Sequence, residues 1–112
     1  MHILGERELS YMKPSAVVCN IGRGTAIDTS ALAAALAAGR LGGAALDVVE
    51  EEPLPTDHPL WALPPSRLLL SPHTMDAHEG YWETSVGVAL SNLGRLRSGE
   101  ALRHTVDLGS GY

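Results

Sequence analysis

Apolar positions in this chain fall into three short runs separated by polar and breaker-rich stretches. The runs are Ala16-Val17-Val18-Cys19-Asn20, Gly43-Ala44-Ala45-Leu46-Asp47-Val48 and Arg67-Leu68-Leu69-Leu70-Ser71. Each is short, apolar and flanked by Gly, Pro or Ser, which predicts three buried strands. Between the first two lies Ala31-Leu32-Ala33-Ala34-Ala35-Leu36-Ala37-Ala38, a strong helix former. Asp28-Thr29-Ser30 offers its N-terminal cap, Gly39 its stop, and Arg40 a cation near the negative end of its dipole. Strand, helix and strand at this spacing make a βαβ unit with a parallel sheet. Gly5–Met12 reads as a short helix that Pro14 ends. From about His78 to Arg97, the spacing of Trp82, Val86, Ala89, Leu90, Leu93 and Leu96 predicts a long amphipathic helix stopped by Gly99. The polar tail to Tyr112 is expected to be extended. Between Glu50 and Ser66 a long loop carries Pro53, Pro55, Pro59, Pro64 and Pro65. A loop of that length points to function or to a brace, with Leu60, Trp61 and Leu63 as its anchors. Trp61 and Trp82 read as packing residues.

Composition narrows the classes. The 112 residues suffice for one small domain, and 45% hydrophobic content marks it as globular. Lys and Arg number 8 against 13 Asp and Glu, a net charge of −5 with no basic tract, so nucleic acid is not an expected partner. No apolar run approaches a membrane span and no signal peptide pattern opens the chain, so a cytoplasmic setting is expected. The single cysteine, Cys19, allows no internal disulfide and no metal cluster. Its place inside an apolar strand reads as a small buried hydrophobe.

The chemistry sits where the strands end. Asn20-Ile21-Gly22-Arg23-Gly24 follows the first run, Asp47 closes the second, and Ser71-Pro72-His73 follows the third. In open parallel sheets ligands bind at the carboxyl ends of the strands. An Arg fork there suits a carboxylate. A His exchanges a proton with an alcohol oxygen, and a nearby carboxylate from Glu50, Glu51 or Glu52 favours its charged form. Together these are suitable parts for 2-oxo or 2-hydroxy acid chemistry.

The ordered motifs Lys13-Pro14-Ser15-Ala16, Asn20-Ile21-Gly22-Arg23-Gly24, Gly43-Ala44-Ala45-Leu46-Asp47-Val48, Glu52-Pro53-Leu54-Pro55, Pro59-Leu60-Trp61 and Ser71-Pro72-His73 resemble the D-isomer-specific 2-hydroxyacid dehydrogenase family. That family includes phosphoglycerate, glyoxylate and hydroxypyruvate reductases. The resemblance runs from about Ile3 to Tyr112. It implies an α/β fold, part of a doubly wound, Rossmann-like parallel sheet of about three strands with flanking helices and a long C-terminal helix. It implies Arg23 as the substrate-binding Arg, His73 as general acid/base and Glu52 as the partner of His73. Asp47 would hold the nicotinamide carboxamide of NAD or NADP. Ile21, Gly22, Arg23, His73, Thr74 and Asp76 would line the nicotinamide site. Glu50 and Glu51 receive no role and read as solvated, and His58 and His78 fall on no motif position.

The phosphate-binding G-x-G-x-x-G turn is not among these motifs. The nearest run, Gly22-Arg23-Gly24-Thr25-Ala26-Ile27, ends in Ile. Residues 1–112 are therefore expected to form part of an NAD(P)-binding domain, with its upstream half and the substrate domain absent. The expected function is NAD(P)-dependent reduction of a small 2-oxo acid. The alternative is a non-catalytic fragment or binding and assembly module of that family. An unpaired first strand also predicts self-association or need of an upstream segment.

Overall fold

The computed structural model describes residues 2–109. Ser110, Gly111 and Tyr112, the end of the expected extended tail, lie outside the described residues. The chain divides after Met75 into two compact units.

The first unit carries α1 (Glu6–Ser10), β1 (Val17–Asn20), α2 (Thr29–Ala37), β2 (Gly43–Leu46) and β3 (Leu68–Leu70), with 3-10 turns at Gly24–Ala26 and Pro59–Ala62. α2 begins as the sequence predicts, because Asp28 Oδ1 accepts from the Ala31 amide at 2.8 Å. It ends in a Schellman motif. Gly39 adopts φ +66, its amide donates to Leu36 O, and the Arg40 amide donates to Ala35 O. The strands are parallel in the order β1-β2-β3. One sheet face presents Val18, Ala44, Leu46 and Leu68 to Leu32 and Leu36 of α2, Leu9 of α1 and Leu60 of the proline-rich loop. Leu60 thus anchors that loop as expected.

The opposite face corrects the sequence reading. β1 alternates exposed and buried side chains, so Val17 is 69% exposed and Cys19 is exposed too. The register aligns Cys19, Ala45 and Leu69 in one row, and Leu69 is 67% exposed. Cys19 is therefore not a buried hydrophobe. Side chains in a strand alternate between faces, and the elements of the first unit cover only the other one.

In the second unit α3 spans Tyr81–Arg97. It starts later than His78 because Gly80, at φ 83, is its N-cap, preceded by a turn in which the His78 amide donates to Asp76 O. It ends at Gly99 in a second Schellman motif, Glu100 N to Arg95 O and Gly99 N to Leu96 O. The tail does not run free. The Asn92 side chain bonds both backbone groups of Arg103, at 3.0 and 2.9 Å, and Arg95 pairs with Glu100 at 3.1 Å. The apolar stripe of α3 is exposed, Trp82 at 74%. Trp82 is thus no core residue; its ring meets the Tyr81 ring edge-on. Among the described residues no helix is long and apolar enough to cross a membrane.

Candidate active site

One row of backbone hydrogen bonds crosses the carboxyl rim of the sheet. The Asp47 amide donates to Asn20 O and the His73 amide to Asp47 O, each at 2.9 Å. Residues that end or follow three strands are thereby neighbours in space. Two of them are buried polar groups that clip the next loop. Asn20 accepts from the Gly22 amide through Oδ1 (3.1 Å) and donates through Nδ2 to Arg23 O (2.9 Å). Asp47, 5% exposed, accepts at Oδ1 from the Ser71 hydroxyl (2.6 Å) and the Thr74 amide (2.9 Å), and at Oδ2 from the Met75 amide (2.9 Å). Sequence reasoning missed this clamp. A strand-final Asp followed much later by Ser-Pro-His was the only signal for it.

His73 sits inside the clamped loop with φ 54, a left-handed backbone. That conformation costs a non-glycine residue on the order of 1–3 kcal/mol and persists only when the surroundings over-determine it. The His73 ring is joined to Glu52, with Nδ1 2.7 Å from Oε2. Oε1 of Glu52 accepts from the Val49 amide at 3.1 Å, which fixes the carboxylate. The expected pairing of Glu52 with His73 is therefore present, across 21 residues of sequence.

Arg23 stands on the same rim, after β1, but its guanidinium donates to its own neighbour, Gly22 O, at 2.9 Å. Gly24, next to it, packs directly on the 49–50 backbone; an added Cβ would lie 1.8 Å from Val49 O. The loop bearing Arg23 and the loop bearing Glu52 are thus in contact through a glycine. Ile21 and Gly22 are exposed at the rim. Thr74 is held through its amide by Asp47, and Asp76 belongs to the second unit.

Beside the His73–Glu52 pair lies a cavity of about 420 Å³ with largely apolar walls from Val49, Leu54, Trp61 and Leu70. Trp61 is consequently a wall and not a core residue. It is 55% exposed, with its indole N–H donated to Pro55 O.

Glu50 also departs from expectation. It is not merely solvated: Oε2 accepts from the Thr29 amide at 2.7 Å, at the start of α2, and Oε1 meets the His2 ring. Its contact with a helix N-terminus is the arrangement the dipole favours. Glu51 is exposed.

Three carboxyls are held below their ordinary range. For Glu52 the His73 hydrogen bond does most, then the Val49 amide, against partial burial. For Asp47 withdrawal from solvent acts upward and is outweighed by Ser71, the Thr74 and Met75 amides and the charge of His73. For Glu50 burial likewise acts upward and is outweighed by Thr29 and His2. A carboxyl lowered on folding stabilises the fold fully above its unfolded value, about 4. That stabilisation is lost as the pH falls through the lower folded value. The urea midpoint should therefore drop between about pH 5 and pH 2, and Glu52→Gln should make the drop shallower. An unchanged midpoint over that window would contradict these contacts.

For a nicotinamide cofactor the residues fit at one end. A carboxylate has about four acceptor sites, and the three donors on Asp47 leave Oδ2 capacity for a carboxamide N–H, while exposed Ile21 offers an apolar surface. No Gly-rich phosphate turn stands in the sequence.

Comparison with known proteins assigns the chain to a family. Residues 1–74 match the family described as D-isomer specific 2-hydroxyacid dehydrogenase, NAD binding domain. The chain is 42% identical over 107 residues to glyoxylate/hydroxypyruvate reductase B of Pectobacterium carotovorum, covering 95% of this chain and 32% of that protein. It is 49% identical over 76 residues to the glyoxylate reductase of Aeropyrum pernix, covering 68% of this chain and 22% of that protein. Among solved structures, a D-isomer specific 2-hydroxyacid dehydrogenase from Xanthobacter autotrophicus, in complex with NADPH and MES, superposes with a TM-score of 0.83 at 34% identity. That match covers 96% of this chain and 43% of the solved one. The chain thus spans about a third of the length of the curated relatives it matches. A parallel sheet with Arg23, Asp47 and the Glu52–His73 pair at its carboxyl rim, matched over residues 1–74 by the family's NAD-binding domain, belongs to a chain of the D-isomer specific 2-hydroxyacid dehydrogenase family.

Proposed function

We propose that the chain carries the proton-transfer and acid-binding groups of an NAD(P)-dependent D-2-hydroxyacid dehydrogenase, acting on a small 2-oxo acid such as glyoxylate or hydroxypyruvate. The observation that carries this reading is the 2.7 Å contact between His73 Nδ1 and Glu52 Oε2 at the sheet rim. With Nδ1 held by Glu52, proton exchange with the substrate oxygen falls to Nε2 of His73. The Glu52 carboxylate favours the imidazolium that donates this proton during reduction. Arg23, swung from Gly22 O, holds the substrate carboxylate and orients the carbonyl. Asp47 and the exposed Ile21 would hold the nicotinamide end of NAD or NADP, which when bound supplies the hydride. The 112 residues hold no Gly-rich turn for the cofactor phosphates, so by themselves they should bind NADH weakly.

The test is a fusion of this chain to the upstream part of the Pectobacterium reductase, in place of the matching third. Oxidation of NADH or NADPH dependent on glyoxylate or hydroxypyruvate is the expected result. A folded fusion without that activity would overturn the reading.

The alternative, a non-catalytic assembly module, draws on the open sheet face. Parallel sheets are found almost only with both faces covered. Here Val17, Cys19 and Leu69 are exposed on one sheet face, and β1 is an edge strand among the described residues. The isolated chain should therefore self-associate at tens of micromolar, roughly the range where such surfaces aggregate. Cys19 should react readily with a thiol reagent in dilute solution and more slowly as concentration rises. A monomer by sedimentation, with Cys19 equally reactive at every concentration, would contradict this.

A further inference from the structure

We propose that Asp47 and Ser71 are positioning residues that hold His73 against Glu52, acting through the loop from Ser71 to Met75. The inference rests on the reading of His73 and Glu52 as the working pair and assigns to Asp47 a role besides cofactor contact. Three of its contacts run to the loop on either side of His73: the Ser71 hydroxyl before it, and the Thr74 and Met75 amides after it. A fourth tie, His73 N–H to Asp47 O, joins the backbones of the same two residues. The clamp thus brackets the one residue of the first unit, glycines aside, that has a left-handed backbone among those described. The direction in which the His73 ring leaves the chain is set by that backbone. Relaxing the loop to an ordinary conformation would swing the ring off Glu52, whose carboxylate is independently fixed by the Val49 amide.

Chemistry also favours a carboxylate over any other side chain here. Asp47 faces three donors and no acceptor, and a carboxylate accepts on both oxygens. In Asp47→Asn one face becomes an NH2 group. It would oppose either the Met75 amide or the Ser71 and Thr74 donors, whichever way the amide turns. Ser71→Ala removes only the shortest contact and leaves both amides in place. Ser71→Thr restores a hydroxyl.

The test reads the Glu52 carboxyl by carbon NMR in the full 112-residue chain labelled at its glutamates, with the amide spectrum as the check of folding. Because His73 does most to hold Glu52 below the ordinary glutamate range, loss of the pairing moves its titration midpoint up. In the parent chain the midpoint should lie below that range. In folded Ser71→Ala, which leaves the Asp47 charge in place, it should rise toward it, and Ser71→Thr should restore the parent value. Asp47→Asn also removes a negative charge that by itself raises the Glu52 midpoint, so its rise should be the smaller. A folded Ser71→Ala chain whose Glu52 midpoint stays at the parent value would overturn the proposal. The Ser71 pair decides whether or not Asp47→Asn folds. A catalytically dead fusion in which the Glu52 midpoint still answers to Ser71 would overturn the proposed activity and leave the positioning role standing. An active fusion with an indifferent midpoint would do the reverse.

Discussion

Replacing His73 by alanine in the fused enzyme should lower kcat for glyoxylate reduction by about 10²- to 10⁴-fold, the range that a positioned general acid contributes. KM for NADH should change much less, because on the proposed reading His73 delivers a proton to the substrate, while most of the grip on a dinucleotide is on its phosphates. The loss follows from geometry already in place: the His73 ring is oriented by Glu52 at 2.7 Å and its backbone is bracketed by Asp47. Steady-state kinetics checks it. A fall in cofactor affinity with unchanged turnover would assign His73 to binding instead.

Gly24→Ala should have the largest effect on the fold. The new methyl would lie 1.8 Å from Val49 O and 2.1 Å from its carbonyl carbon, both backbone atoms that cannot rotate away. Overpacking typically costs ~1–3 kcal/mol, and a clash with backbone belongs at the upper end. In a domain of this size that corresponds to a Tm lower by roughly 10–20 °C. Gly87 and Gly94 of α3 provide the control, since an added Cβ at either meets nothing within 4 Å. There the same substitution should stabilise the helix by about 0.5–1 kcal/mol. Thermal unfolding distinguishes the two cases. Equal melting temperatures for Gly24→Ala and the parent chain would mean that the Arg23 and Glu52 loops are not in contact.

These effects also show which parts of the molecule its sequence reveals. Elements specified by local rules were legible. Asp28 caps α2, Gly39 and Gly99 end helices in a left-handed conformation, and the three apolar runs became three parallel strands within a residue or two of their expected bounds. The Glu52–His73 pair was legible only from ordered motifs, since the two residues lie 21 apart and no local rule joins them. What stayed hidden depends on the third dimension. Cys19 lies in an apolar run, but which face of a strand is covered depends on the elements packed there, and α1, α2 and the 59–62 turn cover only the face of Val18. Glu50 reads as solvated, the first of three consecutive acids of which only Glu52 holds a motif position. The path of the loop sends it to the Thr29 amide and Glu52 to His73, while Glu51 is left in solvent. The engagement of Asp47 by Ser71, Thr74 and Met75 was equally hidden, because its donors come from a strand and loop more than 20 residues away.

The central claim is that Arg23, Glu52 and His73 make one site for a 2-oxo acid. A crystal structure of the fused enzyme with NADH and oxamate, a non-reducible 2-oxo acid analogue, tests it most directly. We expect the oxamate carboxylate on the Arg23 guanidinium and its amide carbonyl oxygen on His73 Nε2, both within about 3.2 Å, with Nδ1 still on Glu52. Oxamate bound away from His73, or held by His73 while Arg23 remains on Gly22 O, would contradict the account.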